Sequence, residues 1–536
     1  MSGTDFDVVI IGAGHNGLTH AGYLAKAGLK VKVVEARDIV GGAAITEEFH
    51  PGYRNSVFSY VVSLLNPRVI RDLELERHGL SIIDRTAGSF SALPGGEDYL
   101  WMSRDHNIVK QQLAKFSKQD AAVWDEFDDK ITVIGELLRD LALETPPNIG
   151  GGWGDLIGAL KSGNRLRKLS PDLQATLAEL MTMSIGDYLD QWFEGEAVKG
   201  DLGFEGVIGN MVSPYQAGSA YVLLHHVFGE VNGRTGAWGH AKGGMGAITQ
   251  AMAKSAQSRG VDIETEALVE EVLTEKGRAV GVVLRDGRVI RARAVSSNLN
   301  PKLLFTRMVD EALLPDGFNR RMKNWRSKSG TFRMNVALSE LPQLSALKGE
   351  ADPERFLNGT VNVSPSLSYL QDAFDDASRL GWARKPVVSM CIPSLLDDSL
   401  APEGHHVASL FCQHFNPDLP DGKSWDDVKE GVADLIIDTV NDVAPNFKAS
   451  IVGRQINSPL DIERKLGMLG GDIFHGALHL DQIYSMRPAA GHADYRAPIK
   501  GLYMCGSGTH PGGGVSGLPG MNAARELIKD FRKKRV

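Results

Sequence analysis

Residues Phe6 to Gly17 read FDVVIIGAGHNG, and this stretch decides the fold of the first part of the chain. The run from Phe6 to Ile11 is apolar and rich in β-branched residues, which predicts a buried parallel strand. Gly12, Gly14 and Gly17 then form a GxGxxG fingerprint at the start of a helical pattern. In such a turn the glycines permit a tight bend, let the backbone approach a pyrophosphate and allow the helix to pack on the strand. The stretch therefore predicts a dinucleotide site.

The residues that follow complete the start of a nucleotide-binding βαβ unit. Gly28 is a plausible end of the helix, and Lys30 to Val34 predicts a second strand that ends at Glu35. A carboxylate about 20 residues beyond the fingerprint is placed to accept both hydroxyls of a ribose. Glu35 therefore favours a nucleotide with a free 2′-hydroxyl over one with a 2′-phosphate.

The other end of the chain carries a second glycine-rich turn. Residues 501–505 read GLYMC, a predicted buried strand, and lead into GSGTHPGGGVSGLPGMNAARELI. The helix is predicted to start near Ser516 or Gly517 and to run to about Lys533. A strand before the glycines and a helix after them indicate a βα turn, so a ligand could lie against the helix N-terminus.

Between the two ends, the pattern changes twice. Residues 66–240 are predicted to be mostly helical. An amphipathic helix that ends at Gly260 then leads into short strands, whose Asp286–Gly287 turn is a strong hairpin signal. These strands predict a β-meander.

Length and composition narrow the class of protein. A chain of 536 residues is expected to form two or three domains. The net charge of −8, with both signs interspersed, argues against a nucleic-acid partner. Cys391, Cys412 and Cys505 lie far apart, which excludes a local redox dithiol and a cysteine spacing typical of zinc. A chain without a disulfide framework suits a reducing compartment.

The sequence predicts a cytoplasmic protein that is soluble or peripherally bound to a membrane. The first strand begins within ten residues of the start, and no apolar run approaches the ~18 residues of a spanning helix. The stretch LIGALKSGNRLRKL, residues 156–169, mixes basic and apolar side chains. It could contact anionic lipid headgroups, although a solvated surface helix is the simpler interpretation.

The two ends taken together resemble a known family. The patterns FDVVIIGAGHNGL, VVEARDIVGGAA and LYMCGSGTHPGGGVSGLPGMNAA are similar to the phytoene-desaturase-type FAD oxidoreductases, which share the amine oxidase fold. The stretch DIERKLGMLGGDIFHGALHLDQIYSMRP is closest to the branch of pyridine nucleotide-disulfide oxidoreductase domain-containing protein 2. The disulfide oxidoreductase activity in that name does not fit this sequence, because the chain has no paired dithiol.

The resemblance implies an α/β fold with a discontinuous Rossmann-type FAD-binding domain of the glutathione-reductase type. That domain comprises residues 1–65, 240–300 and 496–536, and a mixed α+β substrate-binding domain of residues 66–239 and 301–495 is inserted into it. FAD is expected to be noncovalent. By motif, its binding residues are Gly12, Ala13, Gly14, Gly17, Glu35, Ala36, Arg37, Gly41, Gly42, Val269, Gly506, Ser507, Gly517 and Met521.

The implied activity is transfer of a hydride from a small apolar substrate to flavin N5, as in desaturases and oxidases. The sequence has no second dinucleotide fingerprint, so oxygen or a quinone is the expected electron acceptor rather than NAD(P). Two alternatives stay open. One is an amine or alcohol oxidase or a flavin-dependent isomerase on the same fold, and the other is a non-catalytic FAD-binding partner protein.

No catalytic residue stands out from the sequence. The candidates are His510, in the glycine-rich loop expected near the flavin, His475, and Arg487. His475 and His479 are four residues apart, but Gly476 weakens a helix there, and no metal site is predicted. A mostly hydrophobic cavity is expected on the face of the flavin, near His510 and Val515.

Overall fold

The computed structural model describes residues 4–227 and 229–536. The strands are β1 (Phe6–Ile11), β2 (Val31–Val34), β3 (Thr46–His50), β4 (Tyr53–Ser56), β5 (Ile82–Asp84), β6 (Ser89–Ala92), β7 (Tyr99–Met102), β8 (Glu230–Val231), β9 (Arg234–Thr235), β10 (Gly239–Ala241), β11 (Asp262–Glu264), β12 (Val269–Glu275), β13 (Arg278–Leu284), β14 (Val289–Ser297), β15 (Phe332–Leu338), β16 (Thr360–Val363), β17 (Trp382–Cys391), β18 (His406–Phe415), β19 (Ile451–Asn457) and β20 (Leu502–Met504).

The helices are α1 (His15–Lys26), α2 (Pro67–Asp72), α3 (His106–Ala114), α4 (Lys118–Ala142), α5 (Trp153–Arg167), α6 (Pro171–Thr182), α7 (Ile185–Asp190), α8 (Glu196–Val207), α9 (Ala220–Val227), α10 (Gly246–Gln257), α11 (Pro301–Leu303), α12 (Asp316–Lys323), α13 (Glu354–Leu357), α14 (Leu367–Leu380), α15 (Trp425–Asn441), α16 (Phe447–Ser450), α17 (Pro459–Leu466) and α18 (Leu518–Arg532).

The first sheet joins both ends of the chain. Strands β11, β2, β1, β14 and β20 lie side by side and are all parallel, and the antiparallel pair β12–β13 extends from the amino-terminal part of β14. β20 hydrogen-bonds to β14, so a strand from near residue 500 completes a sheet that starts near residue 6. The mixed α/β class predicted from the sequence is confirmed.

Helices α1, α10 and α18 pack together on one face of this sheet. Buried side chains of the three helices share one core with β1 and β2. The opposite face packs against the meander and residues 304–325 in a separate core. The observed α18 confirms the helix predicted to begin near Gly517, and β20 confirms the strand predicted at residues 501–505.

The second sheet has seven strands in the order β19-β15-β18-β17-β16-β6-β7. All neighbours in it are antiparallel except β16 and β6. A helical layer that includes α4, α7, α8, α9 and α14 shares a core with strands of this sheet. The domain boundaries expected from the sequence stay a prediction.

The carboxyl ends of the parallel strands place the site. The loops after β1, β2, β14 and β20 leave the same edge of the first sheet, because these strands run in one direction. Ligands of open parallel sheets bind outside this edge. Among the helices of the described residues, none is long and apolar enough to cross a membrane.

Candidate functional site

The turn after β1 keeps its shape through its glycines. Gly12 has φ of +91°, a left-handed conformation that side chains disfavour. A Cβ at Gly17 would lie 2.2 Å from the carbonyl oxygen of Gly12, so a larger residue would push α1 away from β1. Gly14 and His15, at the amino end of α1, line a large cavity. The positive end of the α1 dipole therefore opens onto space that suits a phosphate.

A second glycine loop lies against the first. The N–H of Gly41 donates to the carbonyl oxygen of Ala13 at 2.9 Å, and Gly14 and Gly41 form a parallel bridge. A Cβ at Gly42 would lie 3.2 Å from Cα of Gly14. The two loops are in direct contact and together form one wall of the cavity.

Glu35, at the end of β2, connects the loops to the rest of the sheet. Its Oε2 accepts the N–H of Ala13 at 2.8 Å, and its Oε1 accepts the N–H of Arg37 at 3.0 Å. Its carbonyl oxygen accepts the N–H of Ala267 at 2.8 Å. Only 9% of Glu35 is exposed, yet it lines the cavity. Because each carboxylate oxygen can accept two hydrogen bonds, two acceptor positions are left for a ligand.

Arg37 supplies the cation beside this carboxylate. Its Nη2 forms an ion pair with Glu47 at 2.8 Å. Its Nη1 is buried and has no hydrogen-bond partner among the described residues. A buried donor without a partner is costly, so Arg37 is suited to an acceptor oxygen of a ligand in the adjoining cavity.

The carboxyl-terminal glycine loop closes the same cavity from the β20 side. Nδ2 of Asn16 donates to Oγ of Ser507 at 3.1 Å, and Nε2 of His15 lies 3.1 Å from the carbonyl oxygen of Gly514. Ser507, Gly514 and Val515 line the cavity. The two ends of the chain are thus hydrogen-bonded to each other at the site.

The cavity has a volume of about 720 Å³ and extends from these loops to the second sheet. We call its far end the distal chamber and define it by five lining residues, Tyr60, Arg85, Phe204, Arg333 and Phe411. The same space is thus bounded by the edge of the first sheet and by strands β15 and β18 of the second. Such a shape can hold a long cofactor and a substrate end to end.

The histidines that line the cavity are neutral at physiological pH. Burial lowers the pKa of His15 to about 4 and that of His475 to about 3. The fixed positive charges in the cavity wall therefore come from arginine and lysine, among them Arg37, Arg85 and Arg333.

Comparison with known proteins identifies the family. The sequence model of flavin-containing amine oxidoreductases matches residues 17–332, more than half of the chain. Pyridine nucleotide-disulfide oxidoreductase domain-containing protein 2 of Rattus norvegicus is 40% identical, over 98% of this chain and 94% of the relative. The chain belongs to the flavin-containing amine oxidoreductase family.

Two further matches have lower sequence identity. Phytoene desaturase (lycopene-forming) of a Paracoccus species is 24% identical, over 97% of this chain and 96% of the relative. The solved structure of cyclohexylamine oxidase from Brevibacterium oxydans superposes with a TM-score of 0.60 at 16% identity, over 98% of this chain and all of that one. The first match confirms the resemblance to phytoene desaturases, and the second shows the shared fold.

Membership of the family confirms that the chain is an oxidoreductase with FAD as its cofactor. The residues present fit that group. Glu35 has acceptor positions for ribose hydroxyls, Arg37 has a buried donor without a partner, and the amino end of α1 faces the same cavity. Glu35 and Arg37 are also among the residues that the sequence predicts to bind FAD.

The residues predicted to bind FAD fall into two groups. Those that line the cavity are Gly12, Gly14, Glu35, Ala36, Arg37, Gly42, Val269 and Ser507. Those that do not line it are Ala13, Gly17, Gly41, Gly506, Gly517 and Met521. In the second group, a Cβ at Gly506 would lie 2.4 Å from the carbonyl oxygen of Asn298, and Met521 is buried in the core. Contact of these residues with FAD stays a prediction.

Two of the three catalytic candidates lie outside the cavity. Nε2 of His510 lies 3.0 Å from the carbonyl oxygen of Leu141, at the end of α4, and neither residue lines the cavity. Arg487 is fully buried and donates to backbone carbonyl oxygens, including those of Ser507 and Phe474 at 2.7 Å. Both side chains fix loops in place. Of the three, His475 alone lines the cavity, and the predicted cavity borders Val515 but not His510.

Several lining residues were missed by the sequence analysis. Asn298 follows β14, and its Nδ2 would lie 2.7 Å from a Cβ at Gly14. Its position at the carboxyl end of a strand could have identified it. In the distal chamber, Phe204 lies on α8, Arg333 on β15 and Phe411 on β18. Tyr60 and Arg85 lie outside helices and strands, and no local sequence pattern connects these five residues.

Proposed function

We propose that the protein binds FAD noncovalently in a discontinuous Rossmann-type domain and oxidises a substrate held in the distal chamber. The reaction is removal of a hydride from a C–H bond in an apolar part of the substrate, with release of a proton from the adjacent atom to solvent, as in desaturases and oxidases. Oxygen or a quinone then takes the electrons. When bound, FAD supplies the hydride acceptor, and the protein supplies orientation and a site without bulk water.

The observation that carries this proposal is the single cavity. A cofactor site that ended in packed side chains would suit a protein that uses FAD only for structure. Here the space beyond Ser507 and Val515 continues to Tyr60 and Phe411 on the far side. A substrate there would lie beside the cofactor, as direct transfer requires.

The chain's own residues would bind and orient the substrate. Apolar side chains such as Phe58, Leu64, Phe204, Ile208 and Phe411 line the cavity and would contact an apolar body. Their contact excludes water from the reacting bond. His475, whose pKa burial lowers to about 3, would face the substrate as a neutral ring and not as a cation.

The family name raises an amine as the alternative substrate. Oxidation of an amine is less compatible with the distal chamber, because an ammonium group there would meet the guanidinium groups of Arg85 and Arg333. We therefore favour a substrate without a positive charge.

The test is anaerobic reduction of the bound flavin. The FAD-loaded protein is mixed in the absence of oxygen with polyenes, aliphatic acids, alcohols and amines, and the visible flavin absorbance is followed. We expect bleaching by a member of the uncharged or acidic classes, with a product that has lost two hydrogens. Bleaching by amines alone, or reaction without bleaching and without a change in mass, would overturn the proposal in favour of an amine oxidase or an isomerase.

A further inference from the structure

Arg333 is a buried cation that has no anionic partner in the part of the chain that the structure describes. It lies on β15, and 1% of its surface is exposed. Its Nη2 donates to Oγ of Ser409 at 2.6 Å, while Nε and Nη1 have no hydrogen-bond partner among the described residues. The guanidinium carbon lies 4.4 Å from the ring centre of Tyr60 and 5.9 Å from that of Phe411. Burial lowers its pKa, yet an arginine keeps its charge.

Arg85 is a second cation of the same kind. It is 5% exposed, its Nε donates to the carbonyl oxygen of Asn358 at 3.3 Å, and its Nη2 donates to Oγ1 of Thr360 at 2.9 Å. Like Arg333 it lines the cavity. Within residues 4–227 and 229–536, neither arginine forms a salt bridge with a carboxylate.

The acidic side chains nearby do not supply the missing charge. Burial, with a contribution from Asp201, raises the pKa of Glu205 to about 8, and among the described residues Glu205 forms no ion pair with Arg85 or Arg333. Asp201 lies outside the cavity lining, and its carboxylate accepts hydrogen bonds from Ser89, Ser91 and Asn362 and forms no ion pair with either arginine among the described residues. Two positive charges therefore stand in a region of low dielectric.

Burying a cation without a counter-charge is expensive, and an anion that binds there recovers that cost. A carboxylate matches guanidinium geometry, because its oxygens accept charge-assisted hydrogen bonds from two N–H groups at once. Around this pair the cavity is lined by apolar side chains such as Phe204 and Ile208. The distal chamber thus has a charged part and an apolar part.

We propose that Arg333, whose Nε and Nη1 have no partner in the described part of the chain, forms an anion-binding site, and that the substrate is an aliphatic acid whose carboxylate binds there. Arg85, in the wall of the same cavity, adds positive potential. The apolar body of the acid then extends towards the cofactor site. This inference rests on the proposed function, because it takes the occupant of the distal chamber to be the substrate.

The test compares matched acids and amides. Decanoate and decanamide have the same chain and differ in charge, so we titrate each into the FAD-loaded protein and follow the shift of the flavin spectrum and the melting temperature. We expect decanoate to bind at least about tenfold more tightly. Arg333→Met should abolish this preference and Arg85→Met should reduce it, while Arg379→Met, on the surface of α14, should keep it.

Either of two results would overturn the anion site: equal binding of acid and amide, or an unchanged preference in the Arg333→Met variant. Binding is measured without turnover, which separates the two proposals. A preference for acids with no flavin reduction by any substrate would sustain the anion site and refute the hydride transfer. Flavin reduction by neutral compounds without a preference for acids would do the reverse.

A different observation concerns helix α5. None of its residues is buried, and Trp153, Leu156, Ile157 and Leu160 are 82%, 50%, 64% and 65% exposed. Their spacing of three and four places them on one face of the helix. An amphipathic surface helix normally buries this face.

The polar face of α5 is the one that packs on the protein. The carboxylate of Asp155 accepts the N–H of Asn148 at 2.8 Å, Oγ of Ser162 lies 3.1 Å from the hydroxyl of Tyr484, and Arg165 pairs with Glu144. The orientation of the helix is therefore fixed by its polar contacts, with its apolar stripe towards solvent.

The charge beside the stripe identifies the partner. Residues 153–168 contain four cations, Lys161, Arg165, Arg167 and Lys168, and one carboxylate, that of Asp155, in a chain of net charge −8. Basic residues that flank an apolar stripe with a tryptophan are typical of helices that lie in a membrane interface. We infer that α5 docks on the surface of an anionic lipid membrane.

Vesicle co-sedimentation tests this inference. The FAD-loaded protein is mixed with phosphatidylcholine vesicles with and without phosphatidylglycerol. We expect binding that is on the order of tenfold stronger with the anionic lipid and that weakens with salt. The double variant Ile157→Ser/Leu160→Ser should lose it, and Leu380→Ser, which changes an exposed leucine elsewhere, should not.

Three outcomes would overturn the membrane assignment. The protein could fail to bind either vesicle, or the double variant could bind as wild type does. The third is a dimer in sedimentation equilibrium that the double variant dissociates, which would make the stripe an interface between two copies of this chain.

Discussion

Replacing Glu35 with glutamine should weaken FAD binding without unfolding the protein. Glu35→Gln keeps the size of the side chain but removes its charge and one of its two acceptor oxygens. A charge-assisted hydrogen bond contributes ~1.5–3 kcal/mol. Two bonds to ribose hydroxyls are weakened, and the amide, which is cheaper to bury, offsets part of the loss. We expect a net cost of about 2–3 kcal/mol, or a Kd raised about 30- to 150-fold.

The variant also disturbs the loop that Glu35 holds. The native carboxylate accepts the N–H groups of both Ala13 and Arg37, and a glutamine amide can accept from only one of them. The assay is titration of FAD into apoprotein, followed by quenching of flavin fluorescence, with circular dichroism as the check on folding. Glu48→Gln, an exposed glutamate on β3, is the matched control. A folded Glu35→Gln protein with a Kd within about threefold of wild type would refute the site assignment.

Three further outcomes are expected. Acid precipitation should release all FAD into the supernatant, because Cys505 is fully buried in the core and its pKa is raised by burial; flavin retained in the pellet would show a covalent bond. In stopped-flow mixing, NADPH should not bleach the flavin at a useful rate, because the chain has no second dinucleotide fingerprint; rapid bleaching would contradict this. Asp397→Asn should lower the free energy of unfolding in urea by about 2–3 kcal/mol at neutral pH. Burial opposes ionisation of Asp397, but hydrogen bonds from His240, Ser399 and the N–H of Gly243 hold its pKa well below the usual range. The ionised carboxylate therefore stabilises the fold above about pH 4, and this stabilisation is lost as the pH falls further. The difference in unfolding free energy between wild type and variant should shrink at that low pH.

The cofactor half of the site could be predicted from sequence because its signals are local. The order of strand, glycine turn and helix at residues 6–26 is set by hydrogen bonding and packing within one βα unit, and α18 was found by the same logic. Glu35 follows from a fixed spacing. The conformation of each of these elements is determined by consecutive residues.

The distal chamber could not be predicted in this way. Arg85 and Arg333 are 248 positions apart, and only the pairing of β6, β16, β17, β18 and β15 in one sheet brings their elements together. In the sequence each looks like one arginine among many. The direction of a loop side chain cannot be predicted locally either. His510 lies in the predicted loop, but its ring forms a hydrogen bond with Leu141 at the end of α4, 369 positions away in the sequence.

A crystal structure of the FAD-loaded protein, soaked with decanoate, is the most direct test of how cofactor and substrate share the cavity. We expect the ribose of the adenosine at Glu35, the flavin ring near Ser507 and Val515, and one face of the ring open to the chamber that contains Arg85 and Arg333. A flavin ring outside this cavity, or one whose two faces are both covered by packed side chains, would contradict the proposed hydride transfer.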